Sequence, residues 1–236
     1  MTISKINNFR NPNFKRTYRY ANEILVLSSV IEDFPFKVKR LVNEQADIAF
    51  CTFEKARNKY HQDIRQFGSD SAVLTEMQGA YIIFYNQSEA PYRVRFSIMH
   101  EFGHYILGHK LNLDREDNLY GVQEIEANCF AAQVLMPEQL LRICSKRGKT
   151  ISEDFIMQSF EVSRDAAQKR RGTLASTIYE WHSREETRYD DIILEKYSNV
   201  LNRIAPLTYQ YPYTFEDDYA REQERGSWLD TRSRWN

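Results

Sequence analysis

Hydrophobic and polar positions alternate with two different periods along this chain. Apolar residues recur every three or four positions over 18–31, which predicts a helix, and a shorter stripe after Pro35 predicts a second one. A longer stripe over 184–204 predicts one amphipathic helix, which would dock on the core or pair with a second copy. Two β-branched and aromatic runs, 48–53 and 79–86, predict strands.

The stretch between these strands, residues 54–76, is polar and mixed in charge. We expect it to be an insertion or loop, part of it helical, that is either a lid over a site or a solvated excursion.

The helix predicted after the second strand carries His100-Glu101-Phe102-Gly103-His104, a His-Glu-x-x-His motif. Histidines four residues apart lie on one helix face, where both imidazoles can bind one tetrahedral Zn²⁺. Glu101 would then lie beside the position of a reactive water. A buried helix with two hydrogen-bonded core histidines is the alternative, but a core rarely holds two imidazoles and a carboxylate on one face.

Zinc needs a third protein ligand, which the sequence offers on a helix predicted to run from 123 to Met136. Glu124 shares a face with Asn128 and with small alanines that would allow a close approach to the first helix. Glu124 is therefore the predicted ligand, with Glu126 as the alternative, and Asn128 would hydrogen-bond a ligand imidazole. His109 is badly placed for the same ion, and we interpret it as a helix-end residue beside Gly108.

These motifs together resemble the ImmA/IrrE family of metallopeptidases. The resemblance rests on 95–104, on Glu124-x-Glu126-Ala127-Asn128-x-Phe130-Ala131-Ala132 and on Leu135-Met136-Pro137, and it covers roughly 30–175. It implies a zincin-like fold in a bacterial, phage or mobile-element protein. It also implies proteolysis of a DNA-binding repressor, which would switch on the genes that the repressor silences. In zincins an edge strand above the metal pairs with the substrate, and by resemblance 79–86 takes that role unless it is an internal strand.

Two helices are predicted downstream of the Leu-Met-Pro stop. Thr150 opens a capping box for a helix to Phe160, and Ser163 caps the next, over 164–174. The pair is helix-turn-helix-like and carries the basic triplet Lys169 to Arg171, so DNA contact through 150–174 is one interpretation. Packing of the pair on the peptidase body, as the resemblance implies, is the favoured one.

The chain as a whole is predicted to be α+β: a zincin-like metallopeptidase core of helices and a small mixed sheet, with the helix-turn-helix-like pair and a C-terminal helix and tail. The predicted organisation is a flexible N-terminal arm at 1–16, the core at 17–148, the helical pair at 149–175, and the helix and aromatic tail at 176–236.

Composition limits the partners and the compartment. The net charge of −1 gives no general attraction to nucleic acid or membranes, and no apolar run is long enough to span a bilayer. The first residues lack the apolar segment of a signal peptide. Cys51, Cys129 and Cys144 fit no Cys-x-x-Cys pattern, so we expect reduced thiols in a cytoplasmic protein.

The resulting hypothesis is a zinc-dependent endopeptidase whose metal is held by His100, His104 and Glu124, with a fourth position left for water. Glu101 would act as general base and then protonate the leaving amine. The protein partner would be a helix-turn-helix repressor. The alternative is a zinc-containing regulatory or DNA-binding module without peptidase turnover. The sequence leaves the oligomeric state open.

Overall fold

Helices make up most of the structure, a computed structural model that describes residues 11–63, 68–111, 113–176, 184–207 and 222–223. Residues 1–205 form one unit. The second unit, 206–236, is described only at 206–207 and 222–223. Residues 1–10 of the predicted arm, and nearly all of the aromatic tail, therefore lie outside the described residues.

The described residues form ten helices and three strands. The helices are α1 (Phe14–Leu27), α2 (Val38–Gln45), α3 (Phe53–Tyr60), α4 (Pro91–Ile106), α5 (Asn118–Leu135), α6 (Glu138–Lys146), α7 (Glu153–Phe160), α8 (Arg164–Ser176), α9 (Arg184–Lys196) and α10 (Ser198–Ile204). The strands are β1 (Ile48–Thr52), β2 (Ala72–Met77) and β3 (Ala80–Tyr85). The predicted α+β class with a small mixed sheet is confirmed. No helix in the described part of the chain is both long and apolar enough to cross a membrane.

The sheet has the order β1-β3-β2, with β1 parallel and β2 antiparallel to β3. The strand predicted over 79–86 is therefore the internal strand, and the assignment of the edge role to it is wrong. The edge nearest the histidine motif is β2, which pairs with β3 in a register that sets Leu74 opposite Ile83.

Strand β2 lies inside the stretch that was predicted to be a loop or insertion, as does α3. Ala72 and Leu74 are buried, while the side chains between and after them are partly or fully exposed. This strand is joined to β3 by a two-residue turn, Gln78-Gly79, in which both residues have positive φ (53° and 79°). Such a turn matches the twist of a hairpin and favours glycine.

Helix α4 carries the His-Glu-x-x-His motif and has two distinct faces. It begins with Pro91, whose fixed φ and missing N–H suit the first helical position. Ile98, Met99 and Phe102 are fully buried in the main apolar core. The opposite face, which includes His100, is turned toward an open cleft. Burial of the apolar face thus fixes the direction in which the motif points.

Helices α4 and α5 approach each other closely at Gly103. A Cβ built on Gly103 would lie 3.0 Å from Cδ1 of Phe130 and 3.3 Å from both Cα and the carbonyl oxygen of Ala127. Both of these α5 residues are fully buried. Only a glycine therefore fits at this crossing without moving the backbone of α5.

We expect Gly103→Val to destabilise the fold by about 1–3 kcal/mol, because the added side chain overpacks the α4–α5 crossing. Urea unfolding followed by circular dichroism measures the change. The matched control is Gly121→Val on α5, where an added Cβ meets nothing within 4 Å and the change should stay below about 0.5 kcal/mol. Equal midpoints for the two variants would contradict the packing argument.

The helix predicted over 184–204 is two helices, α9 and α10, separated at Tyr197. Tyr197 is fully buried, and its hydroxyl donates to the carbonyl of Leu25 at 2.7 Å. The ammonium of the preceding Lys196 donates to the carbonyls of Leu25, Val26 and Ser28. A cation at the C-terminal end of α1 is favourable because the last carbonyls of a helix lack intrahelical donors. The segment is therefore docked on α1.

The caps of α7 and α8 differ from the prediction at one of two positions. Ser163 accepts a hydrogen bond from the N–H of Ala166 at 3.1 Å, as predicted. Ser152, rather than Thr150, caps α7, because its hydroxyl accepts from the N–H of Phe155 at 3.1 Å. Both helices contribute to the main core through Ile156, Phe160 and Ala167.

Candidate metal centre

Three side chains from α4 and α5 converge at the floor of the cleft: His100, His104 and Glu124. The Nε2 atoms of His100 and His104 are 3.1 Å apart. The carboxylate of Glu124 approaches both, with Oε2 3.3 Å from Nε2 of His100 and Oε1 3.4 Å from Nε2 of His104. The side chain of Glu124 is 32% exposed, so the group is open to solvent on one side.

These separations fit a tetrahedral zinc ion. Bonds of about 2.0–2.1 Å and tetrahedral angles place neighbouring donor atoms about 3.3 Å apart. Two imidazole nitrogens and one carboxylate form a donor set that is typical of catalytic zinc. The residues present therefore fit the metal that the sequence predicts.

Asn128 lies one turn beyond Glu124 and fixes the orientation of His100. Its Oδ1 is 3.1 Å from Nδ1 of His100. An amide oxygen can only accept, so the proton of His100 lies on Nδ1 and the lone pair of Nε2 faces the cluster. This is the predicted contact between Asn128 and a ligand imidazole.

The cluster favours positive charge at its centre. Burial lowers the pKa of His100, whereas the hydrogen bond and charge of Glu124 and the charge of Glu101 raise it. The net effect is a pKa above the usual value of histidine. Burial likewise raises the pKa of Glu124, but hydrogen bonds from His100 and His104 outweigh it and hold that pKa well below its usual range. Glu124 is therefore the negatively charged member of the donor set, which suits a metal cation.

Glu126, the alternative ligand, lies outside the cluster. Its Oε2 is 2.9 Å from Nε2 of His109, and its Oε1 accepts from the backbone N–H of Asn13 at 2.6 Å. His109 lies just past the end of α4 and outside the donor cluster, as predicted, and its Nδ1 is also 3.0 Å from Nδ1 of His104. Burial lowers the pKa of His109 to about 4, against the opposing effect of Glu126. Both side chains thus lie behind the metal site.

Glu101 faces the same cleft and is held by the edge strand. Its Oε2 accepts from the backbone N–H of Leu74 at 2.7 Å. The cleft is further lined by Val73, Phe96 and Tyr120, and Arg115 and Lys110 add positive charge. The carboxylate is therefore oriented by β2 and lies next to the three donors.

Tyr120 is a site residue that the sequence reasoning missed. It lies one turn before Glu124 on α5, and both side chains line the cleft. Burial and the charge of Glu124 raise the pKa of Tyr120, so its hydroxyl stays a donor at neutral pH. The spacing of four residues from the predicted ligand is the signal that could have identified it.

The basic triplet of the helix-turn-helix-like pair is not a free cationic surface. Arg170 is 2% exposed and donates to the carbonyl of Met136 at 2.9 Å. Lys169 pairs with Asp165 at 2.9 Å, and Arg171 pairs with Glu153 at 3.1 Å. The middle cation is therefore unavailable to DNA, and acidic neighbours offset the other two.

Comparison with known proteins agrees with the geometry. The sequence model of the IrrE N-terminal-like domain family, Peptidase_M78, matches residues 44–171. The matched range includes the sheet, both helices that carry the three donors, and most of α8. A search of curated proteins found no match to the chain.

Proposed function

Because the chain belongs to the IrrE N-terminal-like domain family of M78 metallopeptidases, which are zincin-like, we propose that it is a zinc-dependent endopeptidase that cleaves a DNA-binding repressor. The observation that carries the zinc assignment is the set of donor separations in the His100, His104 and Glu124 cluster, between 3.1 and 3.4 Å. Among the described residues three such donors converge rather than four, which supports catalysis, because structural zinc is usually closed by four protein ligands.

His100, His104 and Glu124 would hold the zinc. When bound, zinc supplies a Lewis acid that polarises a peptide carbonyl and brings the pKa of an adjacent water toward neutrality. The protein contributes the fixed directions of its donors: Asn128 orients His100, and the close α4–α5 crossing at Gly103 keeps Glu124 within reach.

Glu101 is the proposed general base. The N–H of Leu74 is bonded to Oε2 of this carboxylate, which leaves Oε1 to take a proton from the attacking water. The same oxygen then delivers that proton to the nitrogen of the leaving amine. Tyr120 is the proposed donor to the oxyanion that develops on the scissile carbonyl, since its hydroxyl lies beside Glu124 in the cleft.

The outer edge of β2, which has no second strand beside it in the described sheet, offers a binding site for an extended substrate. The N–H of Leu74 points away from β3 toward Glu101, so Leu74 belongs to a pair without hydrogen bonds to β3. Alternation along the strand turns the backbone groups of Ala72 and Glu76 outward as well, and the N–H of Ala72 is bonded to Oγ of Ser69 at 3.3 Å. An extended peptide can add to such an edge by main-chain hydrogen bonds.

The proposed substrate is a helix-turn-helix repressor, and the proposed compartment is the cytoplasm. The substrate follows from family membership, which implies a protein substrate, and from the repressor cleavage that the ImmA/IrrE resemblance implies. Three free cysteines, Cys51, Cys129 and Cys144, support a reducing compartment. The alternative of a DNA-binding module without turnover is less well supported, because Arg170 is buried.

The proposed substrate is tested with the helix-turn-helix repressor encoded beside this gene. Zinc-loaded protein should cut it at one site, and both fragments are identified by mass spectrometry. A chelator should abolish cleavage, and added zinc should restore it. The control is an unrelated helix-turn-helix protein of similar size. An intact repressor beside a cleaved generic peptide would refute the substrate while retaining the peptidase.

A further inference from the structure

Behind the metal site runs a continuous series of polar contacts that the proposed reaction does not use. It passes from His104 to His109 (Nδ1 to Nδ1, 3.0 Å), from His109 to Glu126 (2.9 Å), and from Glu126 to the backbone N–H of Asn13 (2.6 Å). The side chain of His109 is 3% exposed and that of Glu126 is 8% exposed. We infer that His109 and Glu126 form a relay that positions His104 as a metal ligand.

The hydrogen-bonding capacities of these groups allow a single consistent direction. Nε2 of His104 faces the cluster, so as a ligand its proton lies on Nδ1. Nδ1 of His109 must then accept, which puts the proton of His109 on Nε2, where it donates to Glu126. Each N–H in the series therefore has an acceptor, and Glu126 ends the series as a carboxylate that accepts a hydrogen bond on each of its two oxygens.

The fold brings the relay together from three separate segments. Gly108, with a φ of 62°, ends α4 in the left-handed conformation and turns the chain so that His109 lies beside His104. Glu126 comes from α5. Asn13 caps α1, and Arg16 of the same helix donates to the carbonyl of Leu107, next to that turn. The start of α1 thus holds both the turn and the carboxylate.

Such a relay acts on the metal through the ligand. A ligand histidine whose second nitrogen is hydrogen-bonded keeps its ring orientation and tautomer, and a carboxylate at the end of the series makes the ligand nitrogen more basic. Burial adds to the effect, because a carboxylate removed from water needs partners for its charge. His109 and Glu126 are positioning residues, since they touch neither substrate nor metal.

The inference rests on the proposed zinc site, and zinc affinity tests it without reference to peptidase turnover. Dissociation constants are measured by competition with a chromophoric chelator. We expect His109→Phe and Glu126→Gln to weaken zinc binding by about 10–100-fold. His109→Gln should stay within about threefold of wild type, because its amide both accepts and donates and can replace the imidazole in the series. The visible spectrum of the cobalt-substituted protein should change in the first two variants and not in the third.

The matched control is Glu138→Gln, which neutralises another buried glutamate, one that pairs with Arg142 away from the metal site. It should leave zinc affinity unchanged. Equal losses in His109→Phe and His109→Gln would reduce His109 to a packing role and overturn the relay, as would wild-type affinity in Glu126→Gln. If His109→Phe fails to fold, the contrast between Glu126→Gln and His109→Gln decides. A wild type that binds no zinc would instead refute the proposed function.

Discussion

Glu101→Gln should retain a full complement of zinc and lose peptidase turnover. The amide oxygen of glutamine can still accept from the N–H of Leu74, so the side chain keeps its place between β2 and the donor cluster. The neutral amide cannot take a proton from water, however. Loss of a general base in this position should lower kcat by about 10²–10⁴-fold, while KM changes little because the substrate-binding edge is intact.

Zinc content by elemental analysis and cleavage kinetics on the same preparation measure this effect. The control is Glu116→Gln, an exposed glutamate in the connection before α5, which should retain full turnover. Turnover of Glu101→Gln near the wild-type rate would remove Glu101 from the mechanism. A joint loss of zinc and turnover would instead assign it a role in holding the metal.

His104→Ala should lose zinc and turnover together. Four-ligand zinc sites bind with about 10–16 kcal/mol, so one ligand corresponds to roughly 2.5–4 kcal/mol, or about 10²–10³-fold in affinity. The loss should be at the upper end of that range, because the relay through His109 is also broken. The same titration against a chelator as for the relay variants measures it.

The control for His104→Ala is His61→Asn, which removes an exposed imidazole at the end of α3 and tolerates the left-handed conformation there. This variant should bind zinc as the wild type does. Thermal unfolding of the metal-free proteins shows whether the alanine variant is folded. Wild-type zinc affinity in a folded His104→Ala protein would exclude His104 as a ligand.

Local spacing was enough to predict the part of the site that lies on one helix. His100, Glu101 and His104 share a face of α4 because they are neighbours within one turn. The choice of Glu124 over Glu126 followed from helical phase on α5, and the structure brings Glu124 to the cluster. Helical phase did not predict how closely α4 and α5 approach each other, because that distance depends on the contact of Gly103 with Ala127 and Phe130.

Features that depend on distant partners were missed or misassigned. β2 was overlooked because Thr75 and Glu76 make its sequence polar, and only pairing with β3 makes this stretch a strand. The internal position of β3 likewise requires two partners that sequence periodicity does not reveal. His109 lies outside the donor cluster, as predicted, but its contact with His104 was missed. A continuous helix would rotate it away from His104, whereas the left-handed residue at Gly108 changes the direction of the chain.

The apolar core has a consequence for how the cell could control this protein. Ile98, Met99 and Phe102 of α4 pack with Phe130 of α5 on the side away from the metal donors, so the two helices are held together without the ion. This differs from small zinc domains, which unfold when the metal is removed. We therefore expect the empty protein to stay folded and to be refilled reversibly, so that metal supply would limit its activity without changing its abundance.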